Sequence, residues 1–216
     1  MGIPHISLEA GGVYHIFNHA VGSDNLFREE ENYNFFMRKF TSRIIPIAEL
    51  LAYCLMPNHF HFVLKIREKK ELVLFWKEKL SRLKAKREKR HILENADHVL
   101  IDELIIMAMG NFFNSYVQAF NRRYNRRGSL LKESFQRKSA TSNLDLIRLI
   151  CYVHNNPVEH GFTTRREDWK YSSYSAFLSD KQTNISKKDV LDLFGGRENF
   201  IFLHDRHLGD EFEEWV

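Results

Sequence analysis

Met56-Pro57-Asn58-His59-Phe60-His61-Phe62-Val63-Leu64-Lys65-Ile66 decides how the chain is read. From Phe60 onward the side chains alternate as those of a β-strand do: Phe60, Phe62 and Leu64 on one side, His59, His61 and Val63 on the other. His59 and His61 therefore project as neighbours from one face, and two neighbouring imidazoles can share a metal ion. Pro57 and Asn58 supply the turn that delivers the chain into the strand. A His-x-His pair alone is equally what surface histidines produce in a chain with 11 of them, so its meaning depends on what surrounds it.

Working outward, Leu50 to Leu55 reads as a strand joined to the His-x-His strand by the Pro57-Asn58 turn, a hairpin. Upstream, Val13-Tyr14-His15-Ile16-Phe17 is a short β-rich strand, and Val21 to Phe27 holds a turn cluster. Glu29 to Ile45 carries Tyr33, Phe36, Met37 and Phe40 at helical spacing and closes near Pro46. Downstream, Glu68 to His91 is a basic helical pattern and Ile101 to Tyr124 a long apolar one, with Gly128 as a stop. Ser134 to Thr141 is placed as a fourth strand. Ser142 caps the next helix, which runs to Asn156 and ends at Pro157. The order is βαββαβ followed by a helix, which predicts an α+β, ferredoxin-like antiparallel sheet with helices on one face.

Composition sets outer bounds. The 216 residues suffice for one full domain with an appended tail, and 18 Phe predict an aromatic core. The formal charge is only +4, but it is concentrated: Lys77 to Arg90 holds eight Lys/Arg against two Glu, and Arg122 to Lys138 seven against one. Such runs suit a polyanion; a solvated helix face is the other reading of the first. Cys54 and Cys151 lie in apolar segments and form no disulfide framework, which fits a reducing cytoplasm. Met1 to Ala10 lacks the regions of a signal peptide, and no apolar run approaches the roughly 20 residues of a membrane span.

A second stretch gives the histidines company. On the helix Leu144 to Asn156, Leu146, Leu149, Ile150 and Val153 share one side. Asp145, Arg148, Tyr152, Asn155 and Asn156 share the other. Tyr152 sits mid-face, with Arg148 one turn before and Asn156 one turn after. Most tyrosines so placed have no chemical role. A phenol with a pKa near 10 is a poor nucleophile unless a metal or positive charge assists it. His59, His61 and the Asn156 amide oxygen are three candidate ligands that leave coordination positions open for a phosphate oxygen. Arg148 and the Arg122 to Arg127 cluster are candidates to hold flanking phosphates.

The combination resembles the single-tyrosine HUH transposases, most closely the REP-associated tyrosine transposases. The matching landmarks are Met-Pro-Asn-His59-Phe60-His61, Tyr152-Val153-His154-Asn155-Asn156-Pro157-Val158 continuing into His160-Gly161-Phe162, Tyr14-His15-Ile16-Phe17-Asn18-His19, and Trp169-Lys170-Tyr171-Ser172-Ser173-Tyr174. They occur in family order over about residues 10 to 178. The resemblance implies a transposase domain over 10–162; the chain departs from the family pattern in a basic helical insertion at about 68–100 and in its tail, and the C-terminal extension over 163–216 is expected to pack on the core through Phe200, Ile201, Phe202 and Leu203. The resemblance implies His59 and His61 as metal ligands on a central strand, Tyr152 as nucleophile, and Asn156 as third ligand where related insertion-sequence enzymes use Gln. Mg²⁺ or Mn²⁺ is the implied metal.

The implied reaction is cleavage and rejoining of single-stranded DNA beside an imperfect hairpin, through a covalent 5′-phosphotyrosine and a free 3′-hydroxyl. Arg122, Arg123, Arg126, Arg127, Arg137, Lys138 and Arg148 are the expected phosphate contacts, with Tyr124 or Phe135 as a base-stacking ring. A bacterial, cytoplasmic, nucleoid-associated enzyme working as monomer or homodimer is further implied. Two other readings stay open at this level. One is a non-catalytic nucleic-acid binder on a ferredoxin-like sheet; the other is a metal phosphodiesterase in which the histidines activate water.

Overall fold

The histidine strand forms as β3 (His59–Ile66), hairpin-paired with β2 (Ala48–Met56) and antiparallel on its other side to β1 (Val13–His19). The computed structural model describes residues 6–82 and 98–206. β4 (Gln136–Ser139) adds to β1, giving the antiparallel order β2-β3-β1-β4. With α1 (Glu30–Arg43) between β1 and β2, and α2 (Lys69–Arg82) and α3 (His98–Arg123) between β3 and β4, the order is βαββαβ. This is the expected α+β, ferredoxin-like sheet.

The two faces of β3 do different work. Phe60, Phe62 and Leu64 join Tyr14 and Ile16 of β1 beneath α1 and α3. Phe62 stacks on Phe40 of α1 with ring centroids 4.3 Å apart, and Phe60 stacks on Phe113 of α3 at 5.2 Å. Burying a phenylalanine contributes about 1.5–3 kcal/mol, so this layer of rings anchors the sheet. The opposite face carries His59, His61 and Val63 with Phe17, His15 and His19 of β1, and α4 (Asn143–Glu159) lies across it. A register shift between Leu50 and Ala52 moves β2 from one layer to the other: Leu50 packs under α1, whereas Ala52, Cys54 and Met56 pack under α4.

Three boundaries differ from the sequence reading. Pro157 lies inside α4, which continues to Glu159. Pro157 gives up one helical hydrogen bond, and Asn156 and Pro157 are both buried, so packing overrides the pre-proline preference. α3 stops at Arg123, and Asn125 at φ 46° is left-handed just past it, ahead of the expected Gly128, which is left-handed too at φ 85°. The fourth strand is only Gln136–Ser139. The part of the predicted basic helix beyond Arg82, with most of the 68–100 insertion, lies outside the described residues.

The segment after α4 closes the sheet edge and backs the helix. Tyr53 and Leu55 of β2 exchange backbone bonds of 2.9 Å with Ser173 and Tyr171, and the Trp169 indole donates to the Leu55 carbonyl at 3.0 Å. After the short α5 (Tyr174–Phe177) come α6 (Lys187–Phe194), stopped by Gly195 at φ 76°, and α7 (Arg197–Asp205). Of the expected apolar run, Phe200 is fully buried, but Ile201 and Phe202 are 37% and 50% exposed. The run is helical, so it cannot face inward at every residue; His204, one turn on from Phe200, takes the inward position instead.

Candidate metal and nucleophile site

α4 is held at its start by a reciprocal cap. Ser142 Oγ accepts from the Asp145 amide and Asp145 Oδ2 accepts from the Ser142 amide, each at 3.1 Å. From there the helix is buried on both sides. Of the side read from sequence as polar, Tyr152 and Asn156 meet the sheet, whereas Asn155 turns to the C-terminal segment, accepting from Arg166 at 2.8 Å; the apolar stripe is covered in part by the C-terminal helices. Tyr152 is consequently 6% exposed and Asn156 wholly buried.

Tyr152 meets the histidine face edge-on. Its ring centroid lies 5.6 Å from that of His61 and 6.0 Å from that of His15. The His59 and His61 rings are 5.2 Å apart and nearly perpendicular, and both are buried. Asn156 donates its Nδ2 to the Tyr152 carbonyl at 3.0 Å. Its Oδ1 has no hydrogen-bond partner, nor have His59 Nε2 and His61 Nε2. These three buried atoms, from residues brought together by a strand and a helix, are of the kind a divalent cation takes, two imidazole nitrogens and one amide oxygen; among the described residues His15 Nδ1 is the fourth buried polar atom in the same state. The residues fit such an ion. Among the described residues no group of three His, Cys, Asp or Glu is placed to hold a metal, so the amide is needed to complete the set.

Burial sets the protonation states. It drives His59 down to about 3, with His19 and His160 adding to the effect and the Asn156 side chain opposing it. Burial also holds His61 well below the ordinary histidine value, reinforced by His15 and His59. Both rings are therefore neutral at pH 7, the form that ligates metals. Burial raises the Tyr152 phenol, the Asn156 side chain opposes this, and Glu159 adds to the rise. Without added positive charge the phenol keeps its proton.

Four neighbours were not assigned from sequence. Asn58 Oδ1 sits 2.8 Å from His59 Nδ1. His15 Nε2 sits 2.8 Å from His61 Nδ1. The half-buried His19 ring stacks on His59 at 4.7 Å, and the exposed His160 ring meets His59 at 4.8 Å. The available signal was parity: His15 and His19 are an even number of residues apart on one strand, hence on one face.

The expected phosphate contacts scatter. Lys138 pairs opposite His15 and shares its face, and its charge adds to the burial that pushes His15 down to about 3. Arg148 lies half-buried on α4. Arg137 pairs opposite Ile16, on the α1 side, donates to the Ile6 carbonyl and lies over Phe135. Arg122, in the last turn of α3, and Arg127, beyond it, are exposed. Arg123 is tied to Glu29 at 2.7 Å and Arg126 to Asp24 at 2.6 Å. Phe135 is core, and the Tyr124 hydroxyl is bonded to Glu29 and Asn32. No helix among the described residues is long and apolar enough to cross a membrane.

No protein-family profile and no curated protein matches this sequence. A solved structure of a REP-associated tyrosine transposase bound to a REP hairpin matches at TM-score 0.54 and 12% identity, covering 83% of this chain and 86% of that one. At that identity the likeness shows a shared fold alone.

Proposed function

We propose that the chain is a metal-dependent tyrosine transposase that cleaves and rejoins single-stranded DNA at hairpin sites. The observation that carries the reading is the convergence of Tyr152 with three unpartnered buried acceptors, His59 Nε2, His61 Nε2 and Asn156 Oδ1. The fold likeness to a hairpin-bound transposase supports the DNA substrate class. In this reading His59, His61 and Asn156 hold Mg²⁺ or Mn²⁺. That ion, when bound, supplies the positive charge that polarises a phosphoryl oxygen and favours the phenolate.

The chain's own groups do the rest. Tyr152 Oη bonds to the scissile phosphorus as the phosphorus–O3′ bond breaks. The phenolic proton leaves to solvent, the 3′-oxygen takes one up, and a 5′-phosphotyrosine remains. Attack by a DNA 3′-hydroxyl reverses the step on a new strand. The packing of α4 against the sheet turns the Tyr152 ring toward the histidine face. Lys138, across from His15 on β1, and Arg148, one turn before Tyr152 on α4, are the basic residues this reading assigns to the flanking phosphates, with the exposed Arg122 and Arg127.

The test is incubation with end-labelled single-stranded REP-like hairpin DNA and Mn²⁺. A denaturation-resistant protein–DNA band is expected, lost in Tyr152→Phe while hairpin binding persists. Turnover without an adduct, surviving Tyr152→Phe, would assign the site to water-activating hydrolysis. Binding without any strand breakage would assign the chain to non-catalytic recognition.

A further inference from the structure

The two histidines of the pair are aimed by different partners. Asn58 Oδ1 can only accept, so His59 carries its proton on Nδ1 and leaves Nε2 with a lone pair. The group 2.8 Å from His61 Nδ1 is another imidazole, His15 Nε2. His15 reaches it diagonally across the sheet: it pairs with Val63, and His61 pairs with Phe17 on the same face. The two rings lie within 15° of parallel with centroids 5.0 Å apart, and Phe17 stacks on His15 at 4.5 Å and on His61 at 6.0 Å. His15 is wholly buried, so its ring is clamped in the orientation that points Nε2 at His61.

We propose that His15 is a positioning residue that accepts the Nδ1 proton of His61, fixing the tautomer in which His61 Nε2 is an acceptor beside His59 and Asn156. The inference rests on the metal reading above, and it makes the same demand of His61 that Asn58 meets for His59. An orienting partner on the far nitrogen of a ligating imidazole is a general requirement for a well-aimed metal ligand. Many such partners are carboxylates. Here neither ligands nor partners carry formal charge: His59, His61 and Asn156 are backed by Asn58 and His15. A divalent ion held by an uncharged shell keeps its full positive charge for a phosphate oxygen. His15 also touches the Tyr152 ring edge-on at 6.0 Å, so one side chain braces both the ligand and the nucleophile.

The test uses the full chain and reads the tautomer before any metal is added. Long-range ¹H–¹⁵N correlation of the metal-free protein should show His61 protonated on Nδ1. In His15→Phe, which keeps the ring but removes the acceptor, His61 should shift toward the Nε2–H form, and Mn²⁺ affinity followed by electron paramagnetic resonance should fall about 10- to 100-fold. His15→Gln, which returns an acceptor at the same reach, should restore affinity to within a few fold. Wild-type His61 in the Nε2–H form overturns the proposal without any variant. So does a folded His15→Phe protein with unchanged tautomer and affinity, or a His15→Gln protein as weak as His15→Phe. Absence of a Tyr152–DNA adduct bears on the parent reading alone, because the tautomer is measured without metal or DNA.

Discussion

Acidification should unfold this protein at an unusually mild pH. His15, His59, His61, His154 and His204 are all buried and neutral, with His15 and His59 pushed down to about 3 and His204 to about 4. Burial is the leading cause in each case. A base whose folded-state value lies below its unfolded value binds protons more readily when unfolded. Its contribution is therefore complete above the unfolded value of 6.5 and is lost as pH falls toward the folded value. At pH 5 each neutral buried ring costs about 2 kcal/mol relative to an unfolded chain free to protonate it, from about 1.4 kcal/mol per unit. Five such rings sum to about 10 kcal/mol, against a total domain stability of about 5–15 kcal/mol. Cooperative unfolding is expected near pH 5, followed by near-ultraviolet circular dichroism and by urea midpoints from pH 7.5 downward. The midpoints should be flat above pH 7 and fall steeply below 6.5. An unchanged urea midpoint at pH 4.5 would refute the reasoning.

Other outcomes follow from single contacts. Ser142→Ala removes half of the cap at the start of α4 and should cost about 1 kcal/mol, read as a fall of about 2–4 °C in the melting midpoint. Asn156→Ala deletes both an unpartnered oxygen and the 3.0 Å bond to the Tyr152 carbonyl. These effects oppose each other, so stability should move by less than about 1 kcal/mol while Mn²⁺ affinity falls by about tenfold or more. Large loss of stability with unchanged Mn²⁺ binding would remove Asn156 from the ligand set. Arg127→Ala, an exposed change, should weaken hairpin binding modestly at every sequence and reduce the salt slope by about one. His204→Leu should cost about 1–3 kcal/mol by orphaning His154 Nδ1, and adding His154→Leu should recover part of it, a coupling visible in a double-mutant cycle.

What sequence could and could not supply divides along physical lines. Local alternation placed Phe60, Phe62 and Leu64 opposite His59 and His61, because strand parity is a property of neighbouring residues alone. Helical spacing did the same for Phe36 and Phe40. Register between distant strands is not local. That His15 lands diagonally beside His61 depends on the packing of chain segments 46 residues apart, so the histidine was legible and its partner was not. The aim of Tyr152 was hidden for another reason: amphipathicity assumes that a helix's polar side meets water. The C-terminal helices cover part of the apolar side of α4, and Tyr152 and Asn156 of its polar side meet a sheet face that carries His15, His59 and His61. Arg123 and Arg126 looked free because Glu29 and Asp24 lie 94 and 102 residues away.

Burial of histidine does not by itself mark a site, and α4 supplies the control. His154, two residues past Tyr152, is as buried as His61, and its ring belongs to a closed chain. His204 Nδ1 donates to the Phe200 carbonyl at 2.7 Å, which makes His204 Nε2 the acceptor of the His154 Nδ1 proton at 2.8 Å. His154 Nε2 is then the acceptor of the Ser173 hydroxyl at 2.7 Å, and the Tyr53 amide donates to that hydroxyl at 2.8 Å. All four ring nitrogens are satisfied, so this pair holds the C-terminal helices to α4 and β2. The other pair has the same residue type and similar burial, yet His59 Nε2 and His61 Nε2 are left without donors beside an equally unsatisfied amide oxygen. Each such atom costs about 1–3 kcal/mol. A fold that closes one histidine pair completely and leaves His59 Nε2, His61 Nε2 and Asn156 Oδ1 without partners at the other, against a buried phenol, has left polar atoms open where a cation would offset their cost. That asymmetry, more than the presence of histidine, separates the structural cluster from the functional one.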